Sequence, residues 1–337
     1  MMQCVLLCRK GVSMKKYVGH EMQIYGVQEY RLTGGKGDGM RMYRVRNAKG
    51  LEFEVSLDRC ADIPTVWLKG SNYAYIAPCG YVSPRYYESK GAGFLKSFTA
   101  GFLTTCGLTA VGSPCIDDGE ELGLHGSISN TPCENASHWI DDDKIYVKVV
   151  IRDASLFAHQ LILEREYICP INENIIYMKD TIKNIGSKDS PLEVLYHCNM
   201  GYPLLTENSL VTVPSLEVTS RDAHAEEDIA NCLNMEKPQS DYVERCYYHK
   251  LVGDTCVSIK NPDTGKGLNM RFNADELKYF TEWKMMGEHE YVLGLEPGNC
   301  TPDGRNVMRE RGELKILKPG ETEVYHLTFE FTEDNKC

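Results

Sequence analysis

The chain has 337 residues, 42% of them hydrophobic and 25% charged, with a formal net charge of −11. That length suffices for one large β domain or two average ones. The acidic balance argues against nucleic acid or an anionic membrane surface as partner, since both demand basic patches.

The 14 cysteines are scattered, with no CxxC pair and no Cys/His cluster at zinc spacing. Reduced, mostly buried thiols in a cytoplasmic protein are therefore expected, rather than a disulfide scaffold. No apolar run reaches the roughly 18 residues that would suggest a transmembrane helix. At the start, MMQCVLLCRK has no basic residue before its apolar run and no small-residue cleavage site, so it is a poor signal peptide. Met14 opens MKKYVGHEM, which reads as a natural start. Residues 1–19 are expected to be an N-terminal extension, and 20–337 a single domain.

Strand signals dominate the rest of the chain. Phe53, Val55 and Leu57 alternate with Glu52, Glu54 and Ser56, and period-two alternation puts one face on a core. The segment GFLKSFTAGFLTT at 93–105 predicts a helix with Phe94, Leu95, Phe98, Phe102 and Leu103 on one face, against the cost of an interior Gly101. Alternation returns at Ile145, Val147, Val149 and Ile151. NPDTGKG at 261–267 and KPGE at 318–321 each predict a hairpin connection between flanking strands. Tyr325, Leu327, Phe329 and Phe331 then alternate with His326, Thr328 and Glu330. Many short strands with such turns, and no repeat or linker, predict an all-β sandwich or barrel.

Functional groups gather where strands meet glycine and proline: DRCAD at 58–62, GLHG at 123–126, YHCNMGYP at 196–203, TEWKM at 281–285 and GLEPGN at 294–299. GxSxG, GxxxxGK and HExxH are all absent, so serine-hydrolase, P-loop and zincin chemistry are unsupported. Taken singly, each candidate has a structural alternative. His125 and His197 could be hydrogen-bonded histidines, Glu296 an exposed strand end, Arg59 a partner of Asp58 or Asp62, and Trp283 simple core. Together, two histidines, a carboxylate, an arginine and an aromatic, with Asn199 two residues from His197, are groups that a sugar-handling acid/base site uses.

The ordered set DRCADI, TTCGL with GLHGSISNTP, YHCNMGYPLL, FTEWKMM with YVLGLEPGN, and LKPGE resembles the DUF4432 family. That family is a branch of the galactose mutarotase-like (aldose 1-epimerase) superfamily. The resemblance runs from about residue 20 to about 332 and implies a β-supersandwich, with large antiparallel sheets face to face and a sugar site on one concave face. It implies Glu296 as the base that takes the anomeric proton and His197 as the acid that protonates the ring oxygen. His125 and Arg59 would bind substrate; Asn199 and Trp283 are placed by neighbourhood alone. The surroundings of Arg59 differ from those in well-characterised mutarotases, and Arg85 or Lys96 is an alternative source of a substrate cation.

Such chemistry needs no metal or organic cofactor. It needs an ionised glutamate and a protonated histidine in one resting enzyme, which predicts a bell-shaped pH profile. The partner would be a monosaccharide or sugar derivative, whose identity the sequence leaves open. Arg59, Arg85, Lys96 or Lys284 could accept one anionic group, and the edge strands of a sandwich invite a homodimer. Three alternatives stand: epimerisation at another sugar carbon, a metal on His125, His197 and Glu296, and a non-catalytic carbohydrate-binding protein.

Overall fold

A computed structural model describes residues 16–334. The extension expected over residues 1–19 lies outside the described residues as far as residue 15. Along the chain, β1 (Gly26–Arg31), β2 (Arg41–Arg46), β3 (Leu51–Ser56), β4 (Val66–Leu68) and β5 (Ser71–Asn72) form a five-stranded antiparallel sheet in sequence order. Next come β6 (Leu103–Leu108), a small hairpin of β7 (Cys115–Asp117) and β8 (Glu120–Leu122), and the long strands β9 (Cys133–Asp141), β10 (Lys144–Ala154), β11 (Gln160–Pro170), β12 (Ile175–Asn184) and β13 (Ser190–Met200). The remainder is β14 (Leu210–Thr212), β15 (Glu217–Ser220), α1 (Ala223–Glu226), β16 (Arg245–Lys250), β17 (Asp254–Asn261), β18 (Lys266–Asn273), β19 (Tyr279–Met286), β20 (Tyr291–Gly298), α2 (Arg305–Glu310), β21 (Lys315–Leu317) and β22 (Thr322–Glu333).

Two large antiparallel sheets dominate, as an all-β supersandwich requires. One runs β14-β17-β18-β22-β12-β11-β10-β9. The other runs β15-β16-β19-β20-β13, with β6 and β21 also pairing with β13. Alternation explains how they meet. Ile145, Val147, Val149 and Ile151 of β10 and Tyr325, Leu327, Phe329 and Phe331 of β22 are buried in one core cluster. Val194, Tyr196 and Cys198 of β13 and Leu293 and Leu295 of β20 join it from the other sheet. The intervening residues of β13 and β20 therefore face away from that core, and His197 and Glu296 are among them.

Two local expectations fail. Over 93–105 only Gly93–Lys96 forms a 3-10 turn, and the rest becomes loop and β6. Ala100 and Gly101 both take positive φ (58° and 73°), which a helix cannot accommodate. The 261–267 turn does join the paired strands β17 and β18. The 318–321 turn instead carries the chain between sheets: β21 pairs with β13, whereas β22 is flanked by β12 and β18. Both edges of β22 are occupied, so β21 has no place beside it. All 11 described cysteines are free thiols.

Candidate active site

Four sequence-selected residues, His125, His197, Trp283 and Glu296, line a single cavity of about 480 Å³. His197 and Glu296 come from neighbouring strands: Cys198 pairs with Leu295, which sets His197 directly opposite Glu296. Thr281 of β19 pairs with Glu296, and Trp283 pairs with Gly294. A Cβ on Gly294 would fall against Glu296 Oε1 and lie 3.0 Å from Trp283 Cβ, so glycine leaves the carboxylate its space. Gly294→Ala should displace that flexible carboxylate more than the backbone. The variant is expected to keep its fold by circular dichroism while losing about 10²-fold in any acid/base rate, as a misplaced catalytic group does.

His197 Nδ1 and Glu296 Oε1 are 3.1 Å apart, on side chains only 6% and 2% exposed. They are not aligned for a hydrogen bond, and each atom is buried without a partner, as is Thr281 Oγ1 beside them. Buried polar atoms are nearly always satisfied, so three orphans at one cavity mark a place where something else supplies the bonds. Aromatic rings enclose the pair. Phe98 lies 5.1 Å and Trp283 5.3 Å from the His197 ring, and His125 stands edge-on at 5.6 Å. Burial in this apolar setting pushes Glu296 well above the usual carboxylate range, helped by the nearby Glu244 charge and opposed by Arg221. Burial, with His125 adding to it, pushes His197 well below the usual imidazole value. Both charged forms are thus disfavoured, unlike the ionised pair expected from the sequence.

His125 sits on a tight loop at φ 58°. Its N–H donates to the Gly112 carbonyl (2.9 Å), and its carbonyl accepts from the Gly107 N–H (3.1 Å). The Gly112 N–H points back to Nδ1 at 3.4 Å, which favours the tautomer with its proton on Nε2. The flanking glycines serve the main chain. A Cβ on Gly123 would strike the Ser89 carbonyl, and one on Gly126 the carbonyls of Gly107 and Ala110. Burial pushes the His125 pKa down to about 4. The folded value lies below the unfolded one, so this contribution to stability is present above about pH 6.5 and is lost as pH falls toward 4. Accordingly, the unfolding temperature of the wild type should drop over that window more steeply than that of His125→Asn.

The structure does not bring Arg59 or Asn199 to the cavity lining. Arg59 is buried, and its Nη1 donates to the carbonyls of Val82 (2.9 Å) and Ser97 (2.7 Å), beneath the segment that carries Phe94 and Phe98. The Asn199 amide donates to the carbonyls of Gly101 (3.1 Å) and His197 (2.9 Å). Among the other cations, Arg85 donates to the Asp38 carbonyl and Lys96 pairs with Glu88 (2.7 Å). Lys284 pairs with Glu236 (3.1 Å) and alternates with Trp283 on β19, so it faces the opposite side of the sheet.

The lining includes residues that sequence reasoning missed: Phe94, Phe98, Arg221 and Glu244. Glu244 accepts from Trp283 Nε1 (2.7 Å) and from Arg221 Nη2 (3.1 Å), joining the three into one wall. Their short segments, SRDAH and YVERC, contain no motif; the spacing of Phe94 and Phe98 is a visible signal, but one that also suits a helix face. Among the described residues, one set of metal-ligating groups has its ligand atoms within 4.8 Å of one another: Cys232, His249 and Glu282. His125, His197 and Glu296 form no such set.

Residues 37–331 match the family described as a domain of unknown function, DUF4432. The chain belongs to the DUF4432 family. No curated protein matches it. Solved structures of similar fold include a Klebsiella pneumoniae protein assigned by inference as an aldose 1-epimerase, at 22% identity and TM-score 0.87, covering 92% of this chain and 84% of that one. A galactose mutarotase-like protein from Clostridium acetobutylicum matches at 15% identity and TM-score 0.68, covering 93% and 100%. The galactose 1-epimerase of Lactobacillus acidophilus matches at 13% identity and TM-score 0.63, covering 92% and 100%. At these identities the likeness concerns the fold, which this DUF4432 chain shares. No helix among its described residues is long and apolar enough to cross a membrane.

Proposed function

We propose that this protein is a sugar isomerase of the aldose 1-epimerase type, its chemistry carried by Glu296 and His197 in a domain spanning 20–337. The observation behind this reading is the pair of unpartnered, titratable atoms 3.1 Å apart in an aromatic-walled cavity. The solved structures of similar fold that are described as aldose 1-epimerases support the same class.

The buried pair holds one proton whether it is written as neutral glutamic acid with neutral imidazole or as carboxylate with imidazolium. Once the two groups come into line, moving that proton from the carboxyl group to the imidazole creates the working form, and the two groups titrate together as a pair. Glu296 then accepts the proton of the anomeric hydroxyl while His197 donates one to the ring oxygen. The C1–O bond of the ring breaks and an open-chain aldehyde forms. Rotation about C1–C2 presents its other face, and the reverse transfers close the ring as the other anomer. His125 Nε2–H, Arg221 and Glu244 supply hydrogen bonds to hydroxyls, and Trp283 offers an apolar face to the pyranose ring.

The charge lining the cavity also bears on the substrate. Arg221 is already engaged by Glu244 (3.1 Å) and Asp222 (3.3 Å), and Glu296 adds a second carboxyl group. A neutral aldose therefore suits the site better than a uronic acid or sulfosugar. Anomer exchange measured by NMR across neutral and anionic sugars tests this. Faster exchange of a neutral aldose is the expected result. Appearance of a different sugar would mean epimerisation at another carbon, and inertness across the panel would leave only binding.

A further inference from the structure

The concave face does not end at the catalytic cavity. On β19, Trp283 and Thr281 line that cavity and Tyr279, two residues further along the same face, lines a second cleft of about 640 Å³. On β16 the same step leads from Cys246 in the first to Tyr248 in the second. Pro302 borders the first, while Thr301 and Asp303 border the second. Arg221 lines both, so the two hollows are neighbours along one run of sheet surface.

The contents of the second cleft have a definite chemistry. Tyr248 and Tyr279 are half-buried, each presenting part of an aromatic ring. The Tyr248 hydroxyl donates to Asp303 (2.6 Å), and Arg311 pairs with the same carboxylate (3.0 Å). Lys278 and Glu313 add a donor and an acceptor at the rim. The arginines are matched by carboxylates, so the surface offers hydrogen bonds of both senses beside aromatic faces. That combination fits a neutral, hydroxyl-rich ring better than a phosphate or carboxylate group.

We propose that this second cleft is a sugar subsite and that the preferred substrate is a neutral reducing disaccharide. Its reducing ring occupies the cavity of His197 and Glu296, and its second ring crosses Arg221 to lie against Tyr248 and Tyr279. The inference rests on the isomerase reading for the reducing ring, while the second subsite is a matter of binding alone.

Two measurements test it. In NMR exchange, at least one reducing disaccharide of a panel containing maltose, cellobiose and lactose should show kcat/KM about tenfold above its monosaccharide, equivalent to one good ring contact. Tyr279→Ala should lower that ratio by about the same factor. Saturation-transfer NMR with methyl glycosides of the same disaccharides, which cannot open at C1, should show contact to both rings in wild type and weakened contact to the second ring in Tyr279→Ala. The wild-type arm stands even if the variant fails to fold. Rapid exchange of monosaccharides with no disaccharide advantage, or saturation of one ring only, overturns the subsite and leaves the isomerase reading intact. A higher kcat/KM for glucose 6-phosphate than for every disaccharide also overturns it. Contact to both rings without exchange of any anomer upholds the subsite and removes the isomerase reading.

Discussion

Glu296→Gln is expected to lower the rate of anomer exchange by ~10²–10⁴-fold, the usual contribution of a positioned general base. The carboxamide has the shape of the carboxyl group and fits the space left by Gly294, but it cannot accept the anomeric proton. The same substitution should leave the fold intact, because Glu296 Oε1 has no partner to lose. Stability should even improve at high pH. Burial raises the folded pKa of Glu296 above its unfolded value, so its contribution is fully present below about pH 4.3 and is lost as pH rises through the folded value. Glutamine carries no such dependence. Thermal unfolding at pH 8 should therefore place the variant at or above the wild type while its exchange rate collapses. A variant that exchanges anomers at the wild-type rate would remove Glu296 from the chemistry. Opposite movements of rate and stability are what a group kept for function produces.

Much of this architecture was legible because alternation is a local signal. The spacing of Ile145, Val147, Val149 and Ile151 is enough to place one face of β10 on the core, and the structure buries all four. His125, His197, Trp283 and Glu296 were also visible, as functional groups set where strands meet glycine-rich turns. Partner choice was not legible. KPGE has every mark of a turn, but whether the flanking strands pair with each other depends on β12, β13 and β18, far away in sequence. Arg59 shows the same limit at a single side chain. Its guanidinium is held by the carbonyls of Val82 and Ser97, and nothing in DRCAD announces them. Arg221 and Glu244 reach the cavity because β15 pairs with β16 and β16 with β19, a relation that neither residue's sequence neighbours encode.

The largest loss of stability is expected from Asp180→Ala. Arg165 is fully buried, its Nε and Nη2 donating to the two oxygens of Asp180 (2.8 and 2.7 Å). Nη1 donates to Asp62 (2.9 Å) and to the Cys60 carbonyl (3.0 Å), and Nη2 also reaches Thr105 Oγ1 (2.8 Å). Asp62 in turn accepts from the Thr105 N–H (2.9 Å), and Asp180 accepts from the Tyr196 hydroxyl (2.8 Å). The network therefore ties β11 and β12 of one sheet to β6 and β13 of the other, next to His197. Removing Asp180 leaves a buried guanidinium with half its compensation, which typically costs about 3–5 kcal/mol. Urea unfolding should show that loss as a lower midpoint at an unchanged slope. Asp180→Asn keeps one acceptor and should fall between; equal stability of all three proteins would mean that the network does not hold the sheets together. This cluster and the cavity are opposite solutions to the same problem of burying charge. Around Arg165 every strong donor has an acceptor, and the result is a rigid join between the sheets. At His197 and Glu296 the partners are withheld, so the stabilisation that a closed network would bring remains open to whatever hydroxyls enter the cavity.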